Sequence, residues 1–121
     1  MKVINRIKKH SDFNKIISSG IKTKTSHFTV FYTNNEENLT RIGIAVGKKN
    51  GSAVQRVKIK RQVRAMLAKR NEYNLPIDLI IVVHPSYKIE EFNENELELN
   101  NNLDKIKEVK HWIRKLIRSF Y

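Results

Sequence analysis

Two periods alternate along the chain, and each change of period marks an element. Phe13, Ile16 and Ile17 fall on one face of a short helix that Ser11 caps and Gly20 stops. From Ser26 to Thr33 the period drops to two, with Phe28, Val30 and Tyr32 pointing one way and Thr29, Phe31 and Thr33 the other. That pattern predicts a half-buried strand, and weaker alternation from Ile21 to Thr25 predicts a further short strand before it. After the polar turn Asn34-Asn35-Glu36-Glu37-Asn38, alternation resumes from Arg41 to Gly47: Ile42, Ile44 and Val46 face the core, while Gly43, Ala45 and Gly47 leave the other face nearly bare. These two strands are expected to form a hairpin.

Ser52-Ala53-Val54-Gln55 fits a capping box and opens a helix over about 53–70, in which Ile59, Val63, Met66 and Leu67 share one side. Beyond Pro76, the run Ile77-Asp78-Leu79-Ile80-Ile81-Val82-Val83-His84 is short, β-branched and closed by Pro85, so it reads as a central strand covered on both faces. Leu99, Leu103, Ile106, Val109, Ile113, Leu116 and Phe120 recur at helical spacing and predict a long closing helix, with Lys110, Arg114, Lys115 and Arg118 toward its end. No repeat or glycine-rich linker interrupts the 121 residues, and residues 1–121 are expected to form a single domain.

Charge changes the picture from a fold to a partner. The formal net charge is +12, which selects for polyanions. A membrane is one polyanion, but the longest apolar run, Leu79 to Val83, is far short of the roughly 20 residues that span a bilayer, so no membrane partner is expected. The first residues lack a continuous apolar segment after their charges, and there is no cysteine, so a cytoplasmic location is expected. Interval 38–71 contains no acidic residue, yet it holds Arg41, Lys48, Lys49, Arg56, Lys58, Lys60, Arg61, Arg64, Lys69 and Arg70. On the helical wheel Lys60, Arg61 and Arg64 cluster roughly opposite the packing side. A glycine-flanked turn, Gly47-Lys48-Lys49-Asn50-Gly51, precedes the helix, where backbone amides can join the side chains in holding phosphate. An ordinary solvated helix interleaves both signs. This one does not, which favours a nucleic-acid backbone as its ligand.

Autonomous catalysis is not expected. His10, His27, His84 and His111 are scattered without metal-ligand spacing, no nucleophile-base set is evident, and Glu90, Glu91, Glu94, Glu96 and Glu98 read as a solvated helix start. No catalytic residue and no metal site are therefore assigned.

The segment Arg41 to Arg64 resembles the signature of the bacterial ribonuclease P protein family, roughly R-x-G-x-x-V-S-K-K-x-G-x-A-V-x-R-N-x-x-K-R-x-x-R. It matches without gaps at Arg41, Gly43, Val46, Lys48, Lys49, Gly51, Ala53, Val54, Arg56, Lys60, Arg61 and Arg64. The opening helix, the apolar strand and the final helix also correspond. Two departures stand out: Gly47 replaces a serine, and Val57 replaces the asparagine of an arginine-asparagine pair. The resemblance implies an α/β (α+β) fold of one sheet in the order α-β-β-β-α-β-α, like a domain of certain ribosomal proteins, with a left-handed βαβ crossover at the basic helix. It also implies a non-catalytic subunit of an endoribonuclease. The protein itself would bind no cofactor, and the partner RNA would require Mg2+ and carry the chemistry.

The implied partners are the ribonuclease P catalytic RNA, held by Arg41, Lys48, Lys49, Arg56, Lys58, Lys60, Arg61 and Arg64, and precursor tRNA, whose 5′ leader would lie in a cleft at Phe13, Ile17 and Phe31. The residues support such a cleft independently, because Phe31 shares a face with Thr29 and Thr33 opposite the bare Gly43, Ala45 and Gly47, leaving a shallow trough with one aromatic floor. Ordinary core burial is the competing role for these apolar residues. Two other functions are to be weighed: a ribosomal-type RNA-binding protein, which would sediment with ribosomes, and a self-sufficient nuclease, which would cleave RNA alone.

Overall fold

Strand β4, Ile77–Val83, is apolar at every position but Asp78, and only a strand covered on both faces accommodates that pattern. The computed structural model, which describes residues 6–37 and 39–120 with side chains through Val109, places β4 inside a four-stranded sheet. The other strands are β1 (Lys22–Lys24), β2 (Phe28–Asn34) and β3 (Arg41–Val46), and the spatial order is β1-β2-β4-β3. β4 runs antiparallel to β2 and parallel to β3. The expected β2–β3 hairpin is thus incorrect, since β4 lies between them. In the segment linking β2 to β3, Thr40 is buried and its hydroxyl donates to Leu75 O at 2.8 Å.

Three helices cover the sheet: α1 (His10–Ser18), α2 (Ala53–Arg70) and α3 (Phe92–Phe120). α1 starts one residue before Ser11, after Lys9, and has no side-chain cap. It packs Ile16 against Ile80 and Ile7, with Phe13, Phe31 and Val82 around them. The opposite face carries the main core, in which Phe28, Val30, Leu79, Ile81 and Val83 meet Ile59, Val63, Met66 and Leu67 of α2 and Leu99, Leu103 and Ile106 of α3. Phe28 meets Tyr87 edge-to-face at 5.7 Å.

α2 forms as its sequence predicts. Ser52 accepts from Gln55 N while the Gln55 side chain accepts from Ser52 N at 2.8 Å. Gly51 has φ +123°, and a Cβ there would collide with Gln55. A glycine is therefore needed directly before the cap. α2 links the parallel neighbours β3 and β4. The glutamates at the start of α3 are not all solvated. Glu98 accepts from Thr25 Oγ1 at 2.5 Å and from His27 N at 2.8 Å, and Glu96 pairs with Lys69 at 3.1 Å. Ile113, Leu116, Phe120 and the basic residues expected at the end of α3 lie outside the described side chains.

Candidate RNA interface

The strand register builds the α1 side of the sheet row by row. Phe31, Ile80 and Gly43 form one row, Thr29, Val82 and Ala45 the next, and Thr33, Asp78 and Arg41 lie beyond the first. The Phe13 ring lies directly on Gly43, where a Cβ would come within 2.5 Å of Phe13 Cζ and 2.8 Å of Ile80 Cδ1. Gly43 thus lets α1 sit down on the sheet.

Val82 and Ala45, in the neighbouring row, stay half-exposed. The candidate trough on this face would be floored by half-buried Val82 and Ala45 rather than by a β2–β3 junction, with half-buried Phe13 and Phe31 on its α1 side. The ammonium of Lys22 stands 6.0 Å over the Phe31 ring. Ile17 is 39% exposed and lies outside the cluster that holds Phe13 and Phe31.

The cations divide into three groups. Lys48 and Lys49 are exposed on a single 3-10 turn at the end of β3, and Lys58 and Arg61 are exposed on α2. Of the three cations that the wheel placed opposite the packing side, Arg61 is exposed, whereas Lys60 and Arg64 are half-buried along the flank of α2, as is Arg56. Among the described residues, the Nε atoms of Arg56 and Arg64 are buried without a hydrogen-bond partner. Val57, 48% exposed, lies on this cationic side and not in the core.

Arg41 is different. Its Nε and Nη2 donate to the Asp78 carboxylate at 2.9 and 2.6 Å. Its pKa is driven above the ordinary arginine value chiefly by that hydrogen bond, with Glu37 and Asp12 adding attraction. The motif arginine is occupied inside the protein.

Sequence inspection missed the groups at the open end of the trough. His84 follows Val82 on this face, and its Nε2 lies 2.6 Å from Thr29 Oγ1. The Asn50 amide, at the end of the basic turn, donates to His84 O at 2.8 Å. His27 and His84, far apart in sequence, are joined by a backbone hydrogen bond of 2.9 Å. Only the strand register reveals that proximity. Among the described residues no three His, Asp or Glu side chains are placed to hold a metal ion, and no helix is long and apolar enough to cross a membrane.

A cationic turn and helix beside an aromatic-walled trough, carried on a four-stranded sheet, define a small RNA-binding α+β protein. Residues 1–107 match the family model described as Ribonuclease P. The chain belongs to the bacterial ribonuclease P protein component family, and its members are subunits of that tRNA-processing ribonucleoprotein.

The ribonuclease P protein component of Mesoplasma florum is 38% identical over 96 residues, covering 78% of this chain and 87% of the relative. That of Macrococcus caseolyticus is 34% identical, covering 93% and 95%. The solved Staphylococcus aureus RNase P protein superposes with a TM-score of 0.65 at 32% identity, covering 88% of this chain and 94% of the other. The Thermotoga maritima protein gives 0.64 at 26% identity, covering 84% and 93%.

Proposed function

We propose that the chain is the non-catalytic subunit of the ribonuclease P endoribonuclease and works in the cytoplasm. It binds the catalytic RNA through Lys48, Lys49, Lys58 and Arg61, with Arg56, Lys60 and Arg64 on the same flank. It holds the 5′ leader of precursor tRNA in the trough beside Phe13 and Phe31, with Ile17 at its margin. The partner RNA supplies the Mg2+-dependent hydrolysis that removes the leader, and the protein's cations offset phosphate repulsion that Mg2+ otherwise screens.

The observation that carries this proposal is the adjacency of two unlike surfaces. The basic turn begins where β3 ends, at the mouth of the trough, so one compact body presents a phosphate-binding edge and a base-stacking floor side by side.

The test is cleavage of leader-bearing precursor tRNA by a bacterial catalytic RNA at low Mg2+. The purified chain alone is expected to be silent, and adding it to the RNA raises cleavage. Phe31→Ala lowers affinity for leader-bearing precursor by about 1–3 kcal/mol and leaves mature tRNA nearly unchanged. Metal-dependent cleavage by the repeatedly purified chain alone, or equal losses for both substrates, would refute the respective assignments.

A further inference from the structure

The segment before α1 contains a cationic alternation that neither the trough nor α2 absorbs. Ile7 is 6% exposed and packs with Ile16 and Ile80, and its amide donates to Ile42 O at 3.0 Å. Arg6 forms an isolated parallel bridge with Ile42. Residues 6–8 therefore lie strand-like along the free edge of β3. In extended chain, neighbours of a buried residue point away from it, and Arg6 and Lys8 are accordingly exposed.

Arg6, Lys8 and Arg64 line one cavity of about 180 Å³, whose other walls are Ile7, Phe13, Ile42, Gly43 and Ile44. It contains three cations, one aromatic ring and no carboxylate. Arg64 brings to it a buried Nε that has no hydrogen-bond partner among the described residues.

We infer that residues 6–8 form the outer wall of a site for one nucleotide of single-stranded RNA. The phosphate lies between Arg6 and Lys8, beside Arg64, and the base lies against the Phe13 ring. The chemistry excludes two simpler ligands. A free anion would leave the apolar walls unused, while an apolar ligand would leave three cations facing it without counter-charge. A duplex is too wide to enter a cavity of this size. The adjoining cavity shares Arg6, Ile7 and Lys8 and adds Lys9 and Arg41 together with Asp12 and Glu37. Asp12 and Glu37 there offset Lys9 and Arg41, so the lining free of carboxylates belongs to the first cavity.

The inference rests on the leader-binding function proposed above and adds the segment before α1 to it. The experiment measures binding of the full-length chain to a fluorophore-labelled, unstructured single-stranded oligoribonucleotide across a salt series, and in parallel to the bacterial catalytic RNA. The double variant Arg6→Gln/Lys8→Gln is expected to bind the oligonucleotide at least about fivefold more weakly. Its log-log salt slope should fall by about 1.4, at roughly 0.7 per charge for a single strand. Binding to the catalytic RNA and the melting temperature stay unchanged.

Full oligonucleotide affinity in the double variant would overturn the role of residues 6–8 alone. Equal losses on both RNAs would also overturn it, because the two cations would then act only as general charge. No oligonucleotide binding by the unmodified chain would overturn the leader-binding function as well.

Discussion

Replacing Arg41 by glutamine separates a structural arginine from an RNA-binding one. Asp78 is 5% exposed, and its carboxylate accepts from Arg41 Nε at 2.9 Å, Arg41 Nη2 at 2.6 Å and Asn35 Nδ2 at 2.8 Å. Arg41→Gln leaves that buried charge with the single donor of Asn35. Breaking a buried ion pair by removing one partner costs about 3–5 kcal/mol. Here the Arg41 side chain is 26% exposed, so water partly replaces it and screens the loss; about 2–3 kcal/mol is the appropriate expectation. For a domain of this size that is a fall in melting temperature of roughly 8–12 °C.

Thermal melting followed by circular dichroism measures the fall, and a salt series with the catalytic RNA measures the charge lost from the interface. The expected pair of results is a large drop in melting temperature with an unchanged salt slope. Asp78→Asn completes a cycle. The double variant should cost less than the sum of the two single ones by about 1–3 kcal/mol, because each single change strands the other partner. A melting temperature within a degree or two of the unmodified chain, with a salt slope lowered by about one ion, would refute the structural role. Arg41 would then be an RNA contact, as its place in the motif suggests.

Two further outcomes are expected. Burial pushes the Tyr87 phenol up to about 12, while an unfolded tyrosine titrates near 10. Above about pH 10 the unfolded chain therefore loses this proton first, and stability conferred by Tyr87 is present below that pH and lost as pH rises toward 12. Tyr87→Phe should flatten that part of the melting-temperature profile, at a cost of about 1 kcal/mol at neutral pH for the hydrogen bond to Gln62; identical alkaline profiles would refute it. Val57→Asn adds a donor and an acceptor at a position 48% exposed, so binding to the catalytic RNA should tighten by up to about tenfold with salt slope and melting temperature little changed. A large loss of stability without gain in affinity would refute placing Val57 on the RNA side.

What could be read from the sequence was local. The Ser52–Gln55 box, the spacing of Ile59, Val63, Met66 and Leu67, and the alternation of Phe28, Val30 and Tyr32 each depend on residues within a turn or two, and each appears as expected. Strand order depends on contacts across the whole chain, and there the short link from β2 to β3 misled. The conflict was nevertheless present in the residues. Ile77 to Val83 has the apolarity of an interior strand, but a β2–β3 hairpin with β1 beside β2 would leave it at an edge. The strong pattern in β4 outweighs the weak preference of a polar turn for a hairpin. The ion pair of Arg41 was not legible for a related reason, since its counter-charge, Asp78, arrives only when β4 pairs with β3 at that register.

Insertion of β4 also has a consequence for function. Had β2 and β3 been neighbours, Phe31 and Gly43 would adjoin directly, and no strand end would lie behind the basic turn. With β4 between them, Val82 supplies part of the trough floor, and the chain leaves the sheet at His84, where its carbonyl accepts from Asn50. On its other side His84 meets Thr29, at the end of the same trough. The turn that carries Lys48 and Lys49 is therefore tied to the floor beside Phe31 through one strand rather than through a flexible link. On the proposed function, a leader held in the trough and a catalytic RNA held at the turn are positioned against each other by the rigidity of β4. Groups placed on regular elements hold a geometry more closely than groups placed on loops. On the same proposal the twelve-charge excess draws RNA to the protein, while this strand aligns the two RNAs.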